Sequence, residues 1–441
     1  STIYFVYAAY FNALLTYGME TAFFRFFTKE KEKGKVISTA FLSLLTTTLL
    51  FMTLTFIFSD VIAQHLGFSD ALTLRILILV TMFDTLLVIP FAYLRVSNRP
   101  IKFTFYKVLN VTIFAIFNLY FLLYVPNAME HGNYIPEFIA AAFNEHPLVV
   151  FIFISNLLAS LVTFLLLFPL VFKFKITFDK KILRKMLIYG IPIMIGSLAF
   201  VTNENLDKLL LSKFLGNEEM GIYAACYKLG VFMSLYIMAF KMGAEPFFFN
   251  QSEKSNAKET YAKIMNWFII FGALFMLIII GFIDQFAQLL LGRPEYFQAL
   301  DIVPVILLAN LFLGIYYNLS VWFKLTDKTK YGMYFSILGA VITVAFNITY
   351  IPIIGYMASA WATLITYFFI ALVSYLYGKK YYNIPYPMKT IFLTLIVTIS
   401  LSYLSFVYFR GNYIVSIAII VIFTGMTAWT QKSEIKQIWK T

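Results

Sequence analysis

Residues 72–100 read LTLRILILVTMFDTLLVIPFAYLRVSNRP, and this stretch decides the fold. An apolar run fills 72–94. At about 1.5 Å per residue it is long enough to cross a hydrocarbon layer about 30 Å thick. Its end is marked by Arg95 and by the turn Asn98-Arg99-Pro100, after which a second apolar run opens at 104. A carboxylate, Asp84, sits near the middle of the first run, six residues before Pro90. This unit of span, basic turn and span recurs along the whole chain.

Apolar helical runs lie at about 3–24, 36–58, 72–94, 104–124, 148–172, 186–206, 219–241, 263–283, 302–323, 333–351, 355–377, 390–409 and 412–429, which predicts 13 spans. Composition agrees. Hydrophobic residues make up 61% of the 441 residues and charged residues 13%, against about 45–50% and about 25% in soluble domains. A disulfide-stapled secreted domain is excluded by the single cysteine, Cys226. Disorder is excluded by 50 Phe and 30 Tyr. The expected class is an all-α polytopic membrane protein.

The net charge of +12 follows topology. Basic residues crowd alternate connections: Arg25 to Lys35, Arg95 to Lys107, Lys173 to Lys185, Lys241 to Lys263, Lys324 to Lys330, Lys379 to Lys389 and the tail from Lys432 to Lys440. Those connections hold 28 of the 34 Lys and Arg. The opposite connections hold only Lys208, Lys213, Arg293 and Arg410, while Arg75 and Lys228 fall within spans. This split is the positive-inside pattern, so basic loops meeting cytoplasm and anionic headgroups account for the charge, and nucleic acid is not an expected partner. The C-terminus is then cytoplasmic and Ser1 lies on the outer side. The chain opens on Ser without a signal peptide, so one preceding span is expected, giving fourteen with both ends cytoplasmic.

An internal repeat is visible at an offset of 229. Tyr93-Leu94-Arg95-Val96-Ser97-Asn98-Arg99 aligns with Trp322-Phe323-Lys324-Leu325-Thr326-Asp327-Lys328. Leu109, Ile113, Phe117 and Asn118 align with Leu338, Ile342, Phe346 and Asn347. At an offset of 225, Gly18-Met19-Glu20 aligns with Gly243-Ala244-Glu245. Six spans repeated in one orientation predict two lobes, 1–172 and 183–377, with 389–429 as an added helix pair and 430–441 as a cytoplasmic tail. Such repeats place substrate between the lobes and rock to alternate access.

Charges inside a membrane are costly and face a cavity or a partner. Lys228 lies about nine residues into its span, roughly 14 Å from the outer end. It is either a cationic contact for an anionic headgroup or the ion-pair partner of Glu204 or Asp207. Arg75 is one turn inside its span and can snorkel. Asp84 is a coupling-ion or sugar-contact candidate, or else a buried hydrogen-bonded carboxylate. Glu204 and Asp207, with Asn203, Asn205 and Lys208, lie near the outer end of one span. Glu20 and Arg25 mark the inner end of the first span, and Glu245 takes the repeat-related position. No catalytic constellation is present: His65, His131 and His146 are far apart in sequence, no metal-ligand spacing occurs, and no phosphate-binding glycine loop appears. No cofactor is expected.

Around the sixth and seventh spans the chain reads Asn205-Leu206-Asp207-Lys208, Leu215-Gly216, Met220-Gly221-Ile222-Tyr223 and Tyr227-Lys228-Leu229. These residues resemble bacterial polysaccharide-biosynthesis membrane proteins, the O-antigen and capsule flippases. Tyr17-Gly18-Met19-Glu20-Thr21-Ala22-Phe23-Phe24-Arg25 is similar to the second helix of the same family. That family falls in the multidrug/oligosaccharidyl-lipid/polysaccharide exporter superfamily. The resemblance implies a MATE-like pair of six-helix lobes with two further C-terminal helices, in the bacterial cytoplasmic (inner) membrane. It also implies that the protein moves an undecaprenyl-diphosphate-linked oligosaccharide from the inner to the outer leaflet. Under it, Lys228, Arg25 and, more weakly, Arg75 become headgroup candidates, since a diphosphate needs Arg or Lys. Asp84, Glu20, Glu204 and Asp207 become candidates for the coupling ion or the sugar. The resemblance also leaves room for a glycan polymerase as partner. The alternative reading is an ion-coupled multidrug or lipid-precursor exporter of the same superfamily.

Overall fold

The computed structural model describes residues 2–432 and 434, apart from 69, 98, 252, 253 and 327. The side chains at 171, 172, 242, 243, 245, 246, 249 and 250, that of Glu245 among them, lie outside the described residues, as do Ser1, Asn98, Asp327, Lys436 and Lys440. Every element formed by the described residues is a helix, with no strand among them. Twelve helices among them are long and apolar enough to cross a membrane. The chain forms two compact units, Ser1–Val201 and Thr202–Thr441. The boundary between them falls inside a helix, not in the connection at 173–182.

Unit 1 contains α1 (Thr2–Thr16), α2 (Met19–Lys29), α3 (Lys33–Ile57), α4 (Ser59–Leu66), α5 (Ala71–Val96), α6 (Pro100–Leu119), α7 (Val125–Glu130), α8 (Glu137–Glu145), α9 (Leu148–Phe172) and the first part of α10 (Lys180–Leu215). Its central element is α5. The Asp70 side chain accepts a hydrogen bond from the Thr73 amide at 2.6 Å and so caps the helix start. Pro100 begins the next helix, where a missing N–H is harmless. Leu74, Leu77, Ile78, Leu86 and Ile89 of α5 are buried, whereas α6 has no fully buried residue and presents Val108, Val111 and Ile116 outward. Sequence hydropathy cannot separate the two, because lipid and protein interior are equally apolar.

The first expected span, 3–24, is divided into α1 and α2. Tyr17 has φ 31° and Gly18 φ 70°, and the Thr16 hydroxyl turns back to the Asn12 carbonyl at 2.7 Å. Packing explains the break. A Cβ on Gly18 would run into the carbonyl of Gly190 on α10, and a Cβ on Gly190 would lie 2.8 Å from the Tyr17 carbonyl oxygen. The joint therefore meets α10 backbone to backbone. Below it, Phe23, Phe27, Phe41, Leu44 and Met186 form one buried cluster. Ser38 donates to the Lys175 carbonyl at 3.1 Å, Thr39 accepts from the Asp179 amide at 3.0 Å, and Lys185 pairs with Glu30 at 2.8 Å. Amides of Ile182 and Lys181 hydrogen-bond the Asp179 carboxylate and hold it below the usual carboxylate range.

Unit 2 contains the rest of α10, α11 (Asn217–Gln251), α12 (Ala257–Gly281), α13 (Ile283–Leu291), α14 (Ile302–Leu319), α15 (Val321–Leu325), α16 (Lys330–Ile354), α17 (Met357–Tyr381), α18 (Met388–Tyr403) and α19 (Tyr413–Thr430). Its core runs along α14 and α17, where Ala358, Ser359, Ala360, Ala362 and Thr363 let the helices approach closely. The last pair, α18 and α19, packs on α12, with Ala273 and Leu277 against Ile419 and Phe423. Arg410 grips Asp284 with two nitrogens, the closer at 2.6 Å, and ties that pair to α13. The repeat-related Asn118 and Asn347 make the same bond, each donating to the carbonyl four residues back, at 3.0 and 2.8 Å.

The Gly18 joint generates a prediction. A left-handed φ costs an L-residue about 1–2 kcal/mol, and at Gly18 the new Cβ must also displace α10. Gly67 shares the left-handed φ, 72°, but faces open space. Gly18→Ala is therefore expected to lower the thermal unfolding midpoint of the detergent-purified protein well below that of Gly67→Ala. Equal shifts would contradict the close contact.

Candidate functional site

Unit 1 holds a partly open polar cavity of about 510 Å³ among otherwise apolar helices. Helix α5 supplies Asp84, Leu87, Val88, Phe91 and Arg95, a spacing that puts all five on one face. Eleven residues of helix separate Asp84 from Arg95, so the wall runs about 16 Å along the axis. Phe103, Lys107 and Asn110 of α6 form a facing stripe. Asn12 and Thr16 of α1, Gly18, Glu20 and Thr21 at the break, Asn156 of α9 and Ser197 of α10 complete the polar lining. The broken first helix thus opens onto the cavity.

The cavity has two poles. At the basic-loop end, Arg95 Nη1 donates to Glu20 Oε1 at 2.9 Å. The guanidinium also lies 4.9 Å from the ring centre of Phe24 and 5.8 Å from that of Phe103, which holds its plane in place. At the inner end of the stripe, the Ser160 hydroxyl donates to Asp84 Oδ1 at 2.6 Å. Asn110 donates to the Thr163 hydroxyl at 3.1 Å. Lys107 Nζ sits 4.3 Å from the ring centre of Phe91, with no ion-pair partner among the described residues. Two cations, two carboxylates and several amides therefore share one space, a set that can hold an anionic group and hydrogen-bond hydroxyls.

The sequence-derived candidates distribute unevenly. Glu20 and Asp84 come together in this cavity. Arg25 is exposed and lies over the Tyr189 ring at 4.4 Å, and it does not line the cavity. Arg75 donates twice to the Ser59 hydroxyl, at 2.9 and 2.7 Å, with Asp60 3.8 Å away. That end of α5 is therefore tied down by its own neighbours. Arg95, Lys107, Asn110 and Asn156 were not singled out by sequence, because Arg95 and Lys107 read as ordinary basic-loop residues. Their signal was the helical spacing from Asp84 and from Phe103.

Unit 2 holds the remaining candidates. Asp207 is buried: Oδ1 accepts from the Lys208 amide at 2.8 Å and from Nζ at 3.2 Å, and Oδ2 accepts from the Tyr223 hydroxyl at 2.6 Å. Lys208 also donates to the Glu204 carbonyl at 2.7 Å and lies over Tyr227 at 4.4 Å. Glu204 Oε1 is buried without a hydrogen-bond partner among the described residues. The ion pair of this cluster is Lys208 with Asp207. Lys228 makes neither hydrogen bond nor ion pair among the described residues, and its side chain is exposed. A second network joins Asn203, Thr343 and Thr366, with Ser359 donating to Asn347 at 2.6 Å.

Helix order, paired units and an internal polar cavity define a multi-pass membrane protein with the fold of the multidrug/oligosaccharidyl-lipid/polysaccharide exporter superfamily. The sequence profile of the polysaccharide biosynthesis proteins matches residues 2–251, and that of the MatE family matches residues 192–349. The chain belongs to the polysaccharide biosynthesis protein family. Among solved structures it is similar to the lipid II flippase MurJ in an inward closed conformation, with a TM-score of 0.73 and 16% identity over 98% of this chain and 93% of that one. A multidrug resistance MATE transporter in an inward-facing conformation gives 0.66 and 14%, covering 85% and 87%. A superfamily transporter from Pyrococcus furiosus, described as having a binding pocket of reverse polarity, gives 0.60 and 14%, covering 85% of each chain. No curated protein sequence matches.

The buried pair in unit 2 yields a second prediction. Removing one partner of a buried ion pair destabilises by about 3–5 kcal/mol, because the other charge is left uncompensated. Asp207→Ala is expected to lose that much and to accumulate poorly, while Asp207→Asn, which keeps an acceptor, loses less. Unfolding curves and membrane abundance measure both, and an Asp207→Ala protein as stable as the parent would contradict the pairing.

Proposed function

We propose that this protein flips a polyprenyl-diphosphate-linked oligosaccharide across the bacterial cytoplasmic membrane by alternating access, supplying surface polysaccharide such as O-antigen, capsule or exopolysaccharide. The observation that carries this reading is Arg95 and Lys107 lining a polar cavity within the apolar helices of unit 1. Charge-assisted hydrogen bonds from Arg and Lys suit phosphate oxygens. Asn12, Asn110, Asn156 and Ser197 suit sugar hydroxyls, and the polyprenyl tail can remain in lipid. Family membership and the flippase fold support the same function. Lys228, exposed and without an ion-pair partner among the described residues, is a further headgroup cation in this reading. Arg25 and Arg75 rank below it, since Tyr189 and the Ser59–Asp60 end already engage them. The basic loops, and with them the C-terminus, face the cytoplasm, and a glycan polymerase takes the product outside.

Glu20 and Asp84 in the same cavity favour a second reading, an ion-coupled exporter of amphipathic cations or lipid precursors. One experiment separates the two. Each charge-assisted contact is worth about 1.5–3 kcal/mol, or roughly a 10–100-fold change. Arg95→Ala, Lys107→Ala and Lys228→Ala are each expected to cut surface glycan by that factor at normal protein abundance. Arg75→Ala is expected to retain display. Normal display by a stably expressed Arg95→Ala/Lys107→Ala double variant, together with cation efflux that needs Glu20 and Asp84, would establish the exporter reading instead.

A further inference from the structure

Two apolar crevices take no part in the polar cavity. One, of about 310 Å³, lies between α3, α5 and α9 of unit 1. The other, of about 410 Å³, lies between α12, α14, α17 and α18 of unit 2. They match across the repeat. Phe41 and Leu45 hold the same places in α3 that Met265 and Ile269 hold in α12, two helices of 25 residues each. Phe83 and Leu86 of α5 align with Phe312 and Ile315 of α14 at the offset of 229. Each crevice has the depth of one leaflet. Its wall runs from Ser38 to Leu49 in α3 and from Met388 to Ile399 in α18, starting in both cases at the basic-loop end. Either wall covers about 16 Å of helix, half of a hydrocarbon layer roughly 30 Å thick. The lining is apolar apart from the Ser38 hydroxyl in unit 1 and Tyr375 and Tyr386 in unit 2, so it offers a sugar or a headgroup no polar cradle and does not hold water. Cations stand at both mouths. The Ser38 hydroxyl donates to the Lys175 carbonyl at 3.1 Å and fixes Lys175 at the mouth in unit 1. In unit 2 Lys389 follows Met388. Lys258 lies two turns before Met265 on the same face of α12, its ammonium 4.8 Å from the ring centre of Tyr382. All three lysines are exposed.

We infer that each crevice seats one acyl chain of an anionic glycerophospholipid from the leaflet on the basic-loop side, with its phosphate at the lysines of the mouth. The inference is independent of what the polar cavity of unit 1 carries. Leu49 and Phe392 are exposed at the rims, so a chain enters sideways from the bilayer. Protein interiors are close-packed, and the seated chain supplies the contacts that the side chains leave unmade. The hydrocarbon lining takes any acyl chain, whereas the lysines favour an anionic headgroup over a zwitterionic one. A polyprenyl tail overruns a slot one leaflet deep, which sets this occupant apart from the transported lipid.

The test uses the purified protein in phosphatidylcholine nanodiscs that carry a small fraction of phosphatidylglycerol with a photoreactive diazirine on one acyl chain. Labelled residues are mapped by mass spectrometry. Half-buried Leu45 and Leu395, inside the crevices, are expected to label more strongly than Val108 and Val111, which α6 presents openly to lipid. Unlabelled phosphatidylglycerol should chase that labelling, and polyprenyl phosphate should not. Lys258→Gln/Lys389→Gln should lower labelling of Leu395 by about 25-fold, roughly fivefold for each lysine near the membrane surface. The same variant should label Leu45 as the parent does, which shows that it is folded, and should take up a diazirine-bearing phosphatidylcholine at Leu395 unchanged. Labelling of α6 equal to that of the crevices overturns the inference. So does a chase by polyprenyl phosphate, which would assign the crevices to the carrier tail. Undiminished phosphatidylglycerol labelling of Leu395 in the double variant overturns it as well, since the lysines would then select nothing.

Discussion

A charged side chain inside a bilayer must find water or an opposite charge, and the layout of this protein follows from how each one does so. Arg75 finds Ser59 and Asp60, Arg410 finds Asp284, and Lys208 finds Asp207. The first and third are local solutions made within neighbouring turns, while Arg410 and Asp284 join elements 126 residues apart in sequence. Asp84, Glu20, Arg95 and Lys107 are solved together, by a cavity that helices α1, α5, α6, α9 and α10 leave open. Of these, Asp84 lies deepest, near the middle of α5, where a charge is expensive against lipid.

The backbone obeys the same constraint. In hydrocarbon every N–H and C=O must be satisfied within the protein, which leaves helices as the available element here. The break at Tyr17–Gly18 is tolerated because it faces protein and the cavity. It packs on Gly190, and its freed polar groups lie beside Thr16, Glu20 and Thr21. The packing and the chemistry of unit 1 therefore meet at one joint: the glycine contact that lets α1 and α2 part also sets Glu20 against Arg95.

Much of the fold was legible because its signals are local. Apolar run lengths marked the spans, and basic turns such as Asn98-Arg99-Pro100 marked their ends. The repeat was read from the pairing of Asn118 with Asn347; both donate to the carbonyl four residues back, as Asn310 and Asn318 also do. The division of 3–24 into two helices was not legible, since Tyr17-Gly18 looks unremarkable without its neighbour Gly190. Nor was the burial of α5 against the exposure of α6, because membrane lipid hides the contrast that water would reveal. Of the site, Asp84 and Glu20 were visible as charges in or beside spans. Arg95 and Lys107 were masked by the positive-inside rule, which accounts for basic residues near span ends without asking which way they point. The sequence offered Lys228 as the partner of Glu204 or Asp207; that Lys208 takes Asp207 instead required three-dimensional placement.

The central claim is that the phosphates of a lipid-linked glycan are held by Arg95 and Lys107 inside unit 1. An experimental structure of the protein in nanodiscs, solved with a bound polyprenyl-diphosphoryl oligosaccharide, tests it most directly. The account predicts phosphate density within about 3 Å of the Arg95 guanidinium and the Lys107 ammonium, with sugar density beside Asn110 and Asn156. Phosphate density elsewhere, with the unit 1 cavity empty, would contradict it.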